Sequence, residues 1–506
     1  MKAKEKMCDI CMEHPNITQG PPWKWWNGGP PLTNLDYDPL ISKNDKPVFE
    51  LWICTLTLKT TQHSKNQIDL IQSHGIWDDY KKITNPYEYI FLSLNRRMTR
   101  SVSTRIPLSR SYYKMLELWK GAELYADLKP LIDRDGGLYT AHAAEGPGGF
   151  IEAIHDATLS QSGDKQSKVI YSQAMTLRST TRNIPGWRKT SAFLSKHPEI
   201  NITYGATDTG DLLLLENIDF FIAKFGPVKA HIYTADGGFD FSSDFNAQEE
   251  TILPLLTAEF YLGLKCISRG GMLIVKIFDT TLRPTLELLW IVTRCFREWS
   301  IIKPRTSRGG NAERYMICKG FLGLEDEMDS MFRKCMELSS SNKIIESFLK
   351  TKPDQSWIQN MLILQEAISS QETVIIQKTL ELIKKPVEAS IRLYIEQNVE
   401  RSIQWCHEHN EPINPKWYET EWHKKTVNDE IRELLNGYEQ KNSNTVIPWR
   451  GLPSIEASQT DSQEHHPQQQ KHHVALFSRV RPSRAEQSSS QGRRAGNPDE
   501  EGWQKV

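Results

Sequence analysis

GLYTAHAAEGPGGFIEAI, residues 137–154, reads as a strand, a sharp turn and the opening of a helix. The run 137–145 is apolar and of strand length, and Glu145-Gly146-Pro147-Gly148-Gly149-Phe150 breaks it with glycines and a proline. Glycines at a strand-to-helix turn let the backbone approach a ligand closely, and the helix behind them presents N–H groups that no carbonyl has claimed. The spacing is not GxGxxG, so a dinucleotide pyrophosphate is not implied. Taken alone, the turn serves as well for a tight corner as for a ligand site.

Helical and strand patterns alternate on either side of it, over residues 85–324. Strand-like runs are KVIYSQAM (168–175), NITYGAT (201–207), AHIYTADGG (230–238), GMLIVKIFD (271–279) and RYMICKGF (314–321). Residues 248–271 predict a helix ending on glycines, and 281–296 a second with Pro284 in its first turn. This alternation predicts an α/β, Rossmann-like fold: a central, mostly parallel sheet flanked by helices. Residues 325–440 show helical periodicity alone, as in SWIQNMLILQEAI and ASIRLYIEQNVERSIQWC, and predict an α-helical C-terminal domain. Residues 1–84 form a Trp/Pro-rich arm, in which Trp23, Trp25 and Trp26 are expected to anchor extended chain to a core. Residues 441–506, rich in Gln, Ser, His and Arg, read as a disordered tail.

The net charge of −1 gives no global sign of a nucleic-acid partner. Basic residues do cluster, from Arg96 to Lys120 and from Arg294 to Lys319, either as solvated faces or as phosphate contacts. Of eight cysteines only Cys8 and Cys11 make a CxxC, and no second pair completes a zinc site, so no metal is expected. Scattered thiols suit a reducing compartment, cytoplasm or nucleus. The N-terminus lacks the apolar core of a signal peptide, and no run of about 18 apolar residues predicts a membrane span.

EGPGGF resembles the turn that holds the methionine part of S-adenosylmethionine in the RrmJ/FtsJ-type RNA 2′-O-methyltransferases, and four further segments agree in order. RSYYKMLELW (110–119), TADGGF (234–239), GGMLIVKIFD (270–279) and NAERYMICKGF (311–321) are similar to the segments that carry that family's Lys-Asp-Lys-Glu tetrad. The resemblance, over roughly residues 85–321, puts the tetrad on Lys114, Asp236, Lys276 and Glu313. It implies a methyltransferase with S-adenosylmethionine as cofactor, bound by Glu145, Gly146, Pro147, Gly148, Gly149 and Phe150. Asp208 and Asp211, after a strand end, are candidates for the adenine amino group.

NPYE (85–88), FLSLN (91–95), AMTL (174–177), TGDLLLLENI (209–218) and QEE (248–250) are most similar to cap-specific mRNA 2′-O-methyltransferases, cellular and viral. The implied reaction methylates the ribose 2′-hydroxyl of a cap-proximal nucleotide. Capped RNA is the substrate, Glu249 a holder of the cap guanine and Arg110 an RNA contact; a partner from the capping or transcription machinery is left open. A 2′-O-methyltransferase of another RNA and a catalytically silent RNA-binding scaffold are the alternatives, the latter disfavoured by the intact tetrad.

Chemistry gives the tetrad its own reading. A ribose hydroxyl must lose its proton as the methyl group arrives, and a lysine can take that proton only when neutral. Lys276 interrupts the apolar run MLIVKIF, where a buried lysine is costly without a task. It is therefore expected to act as base or orienter of the hydroxyl. Lys114 is expected to lower its pKa as a like charge, and Asp236 and Glu313 to orient the amines.

Overall fold

The structure, a computed structural model, describes residues 24–29, 37–41, 49–72, 75–92, 98–161, 168–178, 185–225, 228–238, 246–341 and 343–443. The CxxC pair Cys8 and Cys11, Trp23, Phe239 and the tail beyond residue 443 lie outside them. The N-terminal region contributes β1 (Trp26–Asn27), β2 (Tyr37–Ile41), α1 (Leu56–Gln72) and α2 (Ile76–Ile83). The middle runs α3 (Ser111–Gly121), α4 (Leu124–Asp135), β3 (Leu138–Ala143), α5 (Gly149–Gln161), β4 (Val169–Met175), α6 (Ser191–Leu194), β5 (Ile200–Thr203), α7 (Leu215–Lys224) and β6 (Ala230–Ala235). There follow α8 (Gln248–Cys266), β7 (Ile267–Ile277), α9 (Arg283–Thr293), β8 (Phe296–Ile302) and β9 (Arg314–Phe321). The chain continues through α10 (Asp326–Ser340), β10 (Ile345–Leu349), α11 (Gln355–Lys384), α12 (Glu388–Glu408) and α13 (Thr420–Ser443).

The main sheet has the order β1-β8-β9-β7-β6-β3-β4-β5. Strands β5, β4, β3, β6 and β7 are parallel, while β9 inserts antiparallel between β7 and β8. The chain reverses direction beside β3, so the C-terminal ends of β3 and β6 open onto the crevice where open α/β sheets bind ligands.

Period-two alternation sorts the strands between two cores. Tyr233, Ala235, Leu273, Val275 and Ile277 point into one with α7 to α10; Ile232, Met272, Ile274, Tyr315 and Ile317 point into the other with α3, α4, α5 and α12. Lys276 follows Met272 and Ile274 on that second face, and its register partner on β9 is Tyr315. This alternation collects the chemistry on one side of the sheet.

Three sequence expectations shift. The helix read over 248–271 stops at Cys266, and β7 takes up the glycines through an irregularity in its register with β6, where Gly270 has φ +82°. The strand β8, FREWSII, was missed because Arg297 and Glu298 interrupt its apolar pattern. Within 325–440, read as wholly helical, β10 pairs antiparallel with β2 of the N-terminal arm. Trp26 does anchor its arm: it stacks on Trp299 with ring centroids 4.8 Å apart, while β1 pairs with β8.

The C-terminal helices share the core of the sheet, since Ile376, Leu380, Ile391, Trp405 and Val427 pack in one cluster with Ile232 and Ile274. A buried ionic network ties α1 and α11 to the segment after β7 and to the start of β9. Lys65 of α1 lies 3.2 Å from both Asp279 and Glu372, and Arg314 pairs with Asp279 at 2.9 Å and donates to Gln365 at 3.0 Å. Lys65→Met leaves Glu372 buried without its cation. The expected loss is about 3–5 kcal/mol of stability, read from urea denaturation; an unchanged midpoint would show that the network contributes nothing.

Candidate active site

Strand β3 delivers the chain to a turn shaped by close approach. Ala144 has φ +54° and donates its N–H to Met175 at 2.8 Å; Gly148 has φ +105° and donates to the Glu145 carbonyl at 2.6 Å. A Cβ on Gly149 would stand 2.3 Å from the hydroxyls of Ser109 and Ser111, so glycine is what lets α3 pack onto the start of α5. Phe150 is fully buried against Tyr315, with centroids 5.5 Å apart.

Glu145 is the most telling residue of the turn. It is buried and its carboxyl oxygens make no hydrogen bond; His142 Nδ1 lies 3.2 Å from Oε2, but burial keeps that imidazole neutral and the Thr234 hydroxyl engages the same nitrogen at 2.7 Å. Burial drives its pKa far above the carboxylate range. An orphaned acid in a glycine cradle fits a ligand that brings a positive charge, as the ammonium and sulfonium of S-adenosylmethionine do. Glu259 of α8 is a second orphan, which sequence reading missed. Both its oxygens lack a partner, a Cβ on Gly237 would stand 2.0 Å from Oε1, and burial raises its pKa to about 8. The loop after β5 holds Asp208, which is exposed and ion-paired with Arg178, and Asp211, which accepts from the Leu213 amide at 2.9 Å.

The four tetrad residues assemble as two ion pairs. Lys114 Nζ lies 2.6 Å from Glu313 Oε1, which also accepts from Ser307 Oγ at 2.8 Å. Lys276 Nζ lies 3.3 Å from Asp236 Oδ1 and donates to the Asp236 carbonyl at 2.8 Å. Tyr315 links the pairs: its hydroxyl donates to Asp236 Oδ1 at 2.8 Å, and Lys114 Nζ stands 6.0 Å from its ring centroid. Lys303 supports the Glu313 backbone, donating to the carbonyls of Glu313 and Asn311 at 2.8 and 2.7 Å; burial lowers its pKa to about 8. Ser307, Tyr315 and Lys303 escaped sequence reading. Only Tyr315, on β9 two positions after Glu313, left a signal there.

The electrostatics correct one expectation. Burial opposes the charge on Lys276, but the carboxylates of Asp236, Glu313 and Glu259 outweigh it, and its pKa rises above the ordinary lysine value. Glu313, though buried, is held well below the carboxylate range by Lys114 and Lys276. In the protein without ligands the acids therefore dominate, and Lys114 does not tune Lys276 downward.

The two residues expected to contact RNA both have partners inside the fold. Glu249 is buried and accepts hydrogen bonds from the Thr281 amide, the Thr281 hydroxyl and the Leu282 amide at 2.6–2.9 Å, so it caps the turn into α9. Arg110 gives its guanidinium to the carbonyls of Tyr87, Glu88, Phe91 and Thr306. Much of each basic run is likewise spent inside the fold: Arg100 on Glu430 and Glu433, Arg105 on Asp156 and Glu411, Arg305 on Glu117 and Glu408, and Arg308 on Glu88.

The parallel sheet with its antiparallel insertion and the glycine turn behind β3 define a Rossmann-like α/β fold. Residues 107–321 match the FtsJ-like methyltransferase family, and the chain carries an FtsJ-like methyltransferase domain. Among curated relatives it is 28% identical over 385 residues to a cap-specific mRNA (nucleoside-2′-O-)-methyltransferase 1 from Dictyostelium discoideum, covering 72% of this chain and 47% of that protein. A Trypanosoma cruzi protein of the same description is 26% identical over 280 residues, covering 54% of this chain and 74% of the relative. The chain thus spans less than half the length of the Dictyostelium relative. A solved ribosomal RNA methyltransferase from Plasmodium falciparum aligns with 43% of this chain and 99% of its own at a TM-score of 0.30 and 17% identity.

The hydrogen bonds that Glu249 accepts make its substitution a matter of stability. Glu249→Ala should cost about 1–3 kcal/mol of stability through the orphaned amides and leave the KM for capped RNA unchanged. A raised KM in a variant of unchanged melting temperature would return Glu249 to the substrate site.

Proposed function

We propose that this protein transfers a methyl group from S-adenosylmethionine to the ribose 2′-hydroxyl of a cap-proximal nucleotide of capped RNA. The observation that carries the reading is the meeting of the Lys114–Glu313 and Lys276–Asp236 pairs on one face of the sheet, in a fold whose glycine turn holds a buried acid that makes no hydrogen bond. The descriptions of the curated relatives support the capped substrate.

Bound S-adenosylmethionine supplies the electrophilic methyl on a sulfonium. The turn at 146–149 and Glu145 would hold its methionine part, and Asp208 and Asp211 would contact its adenine. Lys276 is the group that orients the hydroxyl and takes its proton. Asp236 fixes that amine through both a carboxylate and a carbonyl contact, and Tyr315 fixes Asp236. Glu313 and Ser307 fix Lys114 beside them. Holding hydroxyl and methyl in line contributes as much as the base does.

Methyl transfer from labelled cofactor to capped and uncapped versions of one short RNA tests the substrate, and equal turnover on the two would favour a different RNA. Lys276→Ala should lower turnover at least about 10²-fold with cofactor affinity retained. Lys276→Arg should be almost as damaging, because a guanidinium keeps its proton. Near wild-type turnover in the arginine variant would reduce the residue to a charge contact. Since the raised pKa keeps Lys276 protonated at neutral pH, kcat/KM should still be rising at about pH 9. A plateau reached near neutrality would contradict this role for Lys276.

A further inference from the structure

A group of side chains on the far side of the cofactor turn takes no part in this chemistry. His155 is buried on α5, and His197 and Glu199 flank Pro198 between α6 and β5. Glu199 Oε1 lies 3.3 Å from His155 Nδ1 and 2.9 Å from His197 Nδ1, and one donor atom from each of the three residues falls within 4.8 Å of the others. Around a tetrahedral ion with bonds of about 2.0–2.1 Å, donor atoms stand about 3.3–3.4 Å apart. The two spacings from Glu199 are within a few tenths of an ångström of that value, and the third, between the histidines, is no more than 4.8 Å. The ion pairs of Glu199 among the described residues are to these histidines, with no Lys or Arg, so its charge lacks a permanent cation. The side chains of His197 and Glu199 are 23% and 24% exposed, which leaves a way in from solvent.

We propose that His155, His197 and Glu199 form a binding site for a divalent transition-metal ion, with zinc the best match. Two imidazoles and a carboxylate suit zinc, and water would complete the coordination; magnesium and calcium favour oxygen donors throughout. Spacing along the chain did not suggest this site, because α5 brings His155 to its partners only in the folded protein. The ion would pin the helix that carries the cofactor turn to the segment that covers it, where Thr190 Oγ1 donates to the Pro147 carbonyl at 2.7 Å and Trp187 lies against Gly148.

The test is calorimetric titration of zinc alone into the full chain after removal of metals by a chelator. One equivalent should bind with a Kd below about 1 µM. His197→Ala and Glu199→Gln change partly exposed positions that the fold tolerates, and each should weaken binding at least 10-fold. Cobalt(II) in the same site should show the intense visible bands of a four- or five-coordinate ion without the thiolate charge-transfer bands that Cys8 and Cys11 would add. A wild-type chain that takes up no zinc would overturn the proposal and leave a hydrogen-bonded histidine–carboxylate cluster. Undiminished affinity in both variants would overturn it too, by placing the ion elsewhere in the chain.

Discussion

Placing two lysine ammonium groups at the buried edge of a sheet governs the arrangement around them. A charge leaving water loses several kcal/mol of solvation unless a counter-charge and hydrogen bonds replace it. Lys114 and Lys276 obtain both from Glu313 and Asp236, and those acids are themselves held by Ser307 and Tyr315. Because each carboxylate has a further partner, neither lysine is free to swing, and the amines are set before a substrate arrives. Lys303 repeats the pattern one layer out by gripping the backbone that carries Glu313.

The same requirement extends to the C-terminal helices. Asp279 and Arg314 stand three residues and one residue from Lys276 and Glu313, and they find buried partners on α1 and α11. Arg100, Arg105 and Arg305 find theirs on α12, α13 and the loop between them. The helices following the sheet thus supply part of the counter-charge and part of the core that the catalytic strands need.

Much of the fold was legible because its signals are local. The glycine turn, the apolar strands and the period of the helices each depend on a few neighbouring residues, and Lys276 stood out because it breaks an apolar run of its own strand. What was misread depends on partners distant in sequence. Glu249 looks like a substrate contact until Thr281 and Leu282 arrive beside it. Arg110 looks like a phosphate contact until four backbone carbonyls surround it. Strand β8 was hidden because Arg297 and Glu298 break its apolar pattern, and its pairing with β9 and β1 outweighs the missing alternation.

By itself the sequence determined the alternation of strands and helices, the position of the ligand turn and the identity of the four polar residues around which the site is built. These follow from periodicity and from the conformational limits of glycine and proline, which act over a few residues. Only the tertiary structure decided which charges face each other. Pair energies depend on distance and on exclusion of water, and both arise when segments hundreds of residues apart, such as Lys65 and Glu372, are packed together. That is why the sign of the shift at Lys276, the capping role of Glu249 and the convergence of His155 with Glu199 emerged from the folded chain alone.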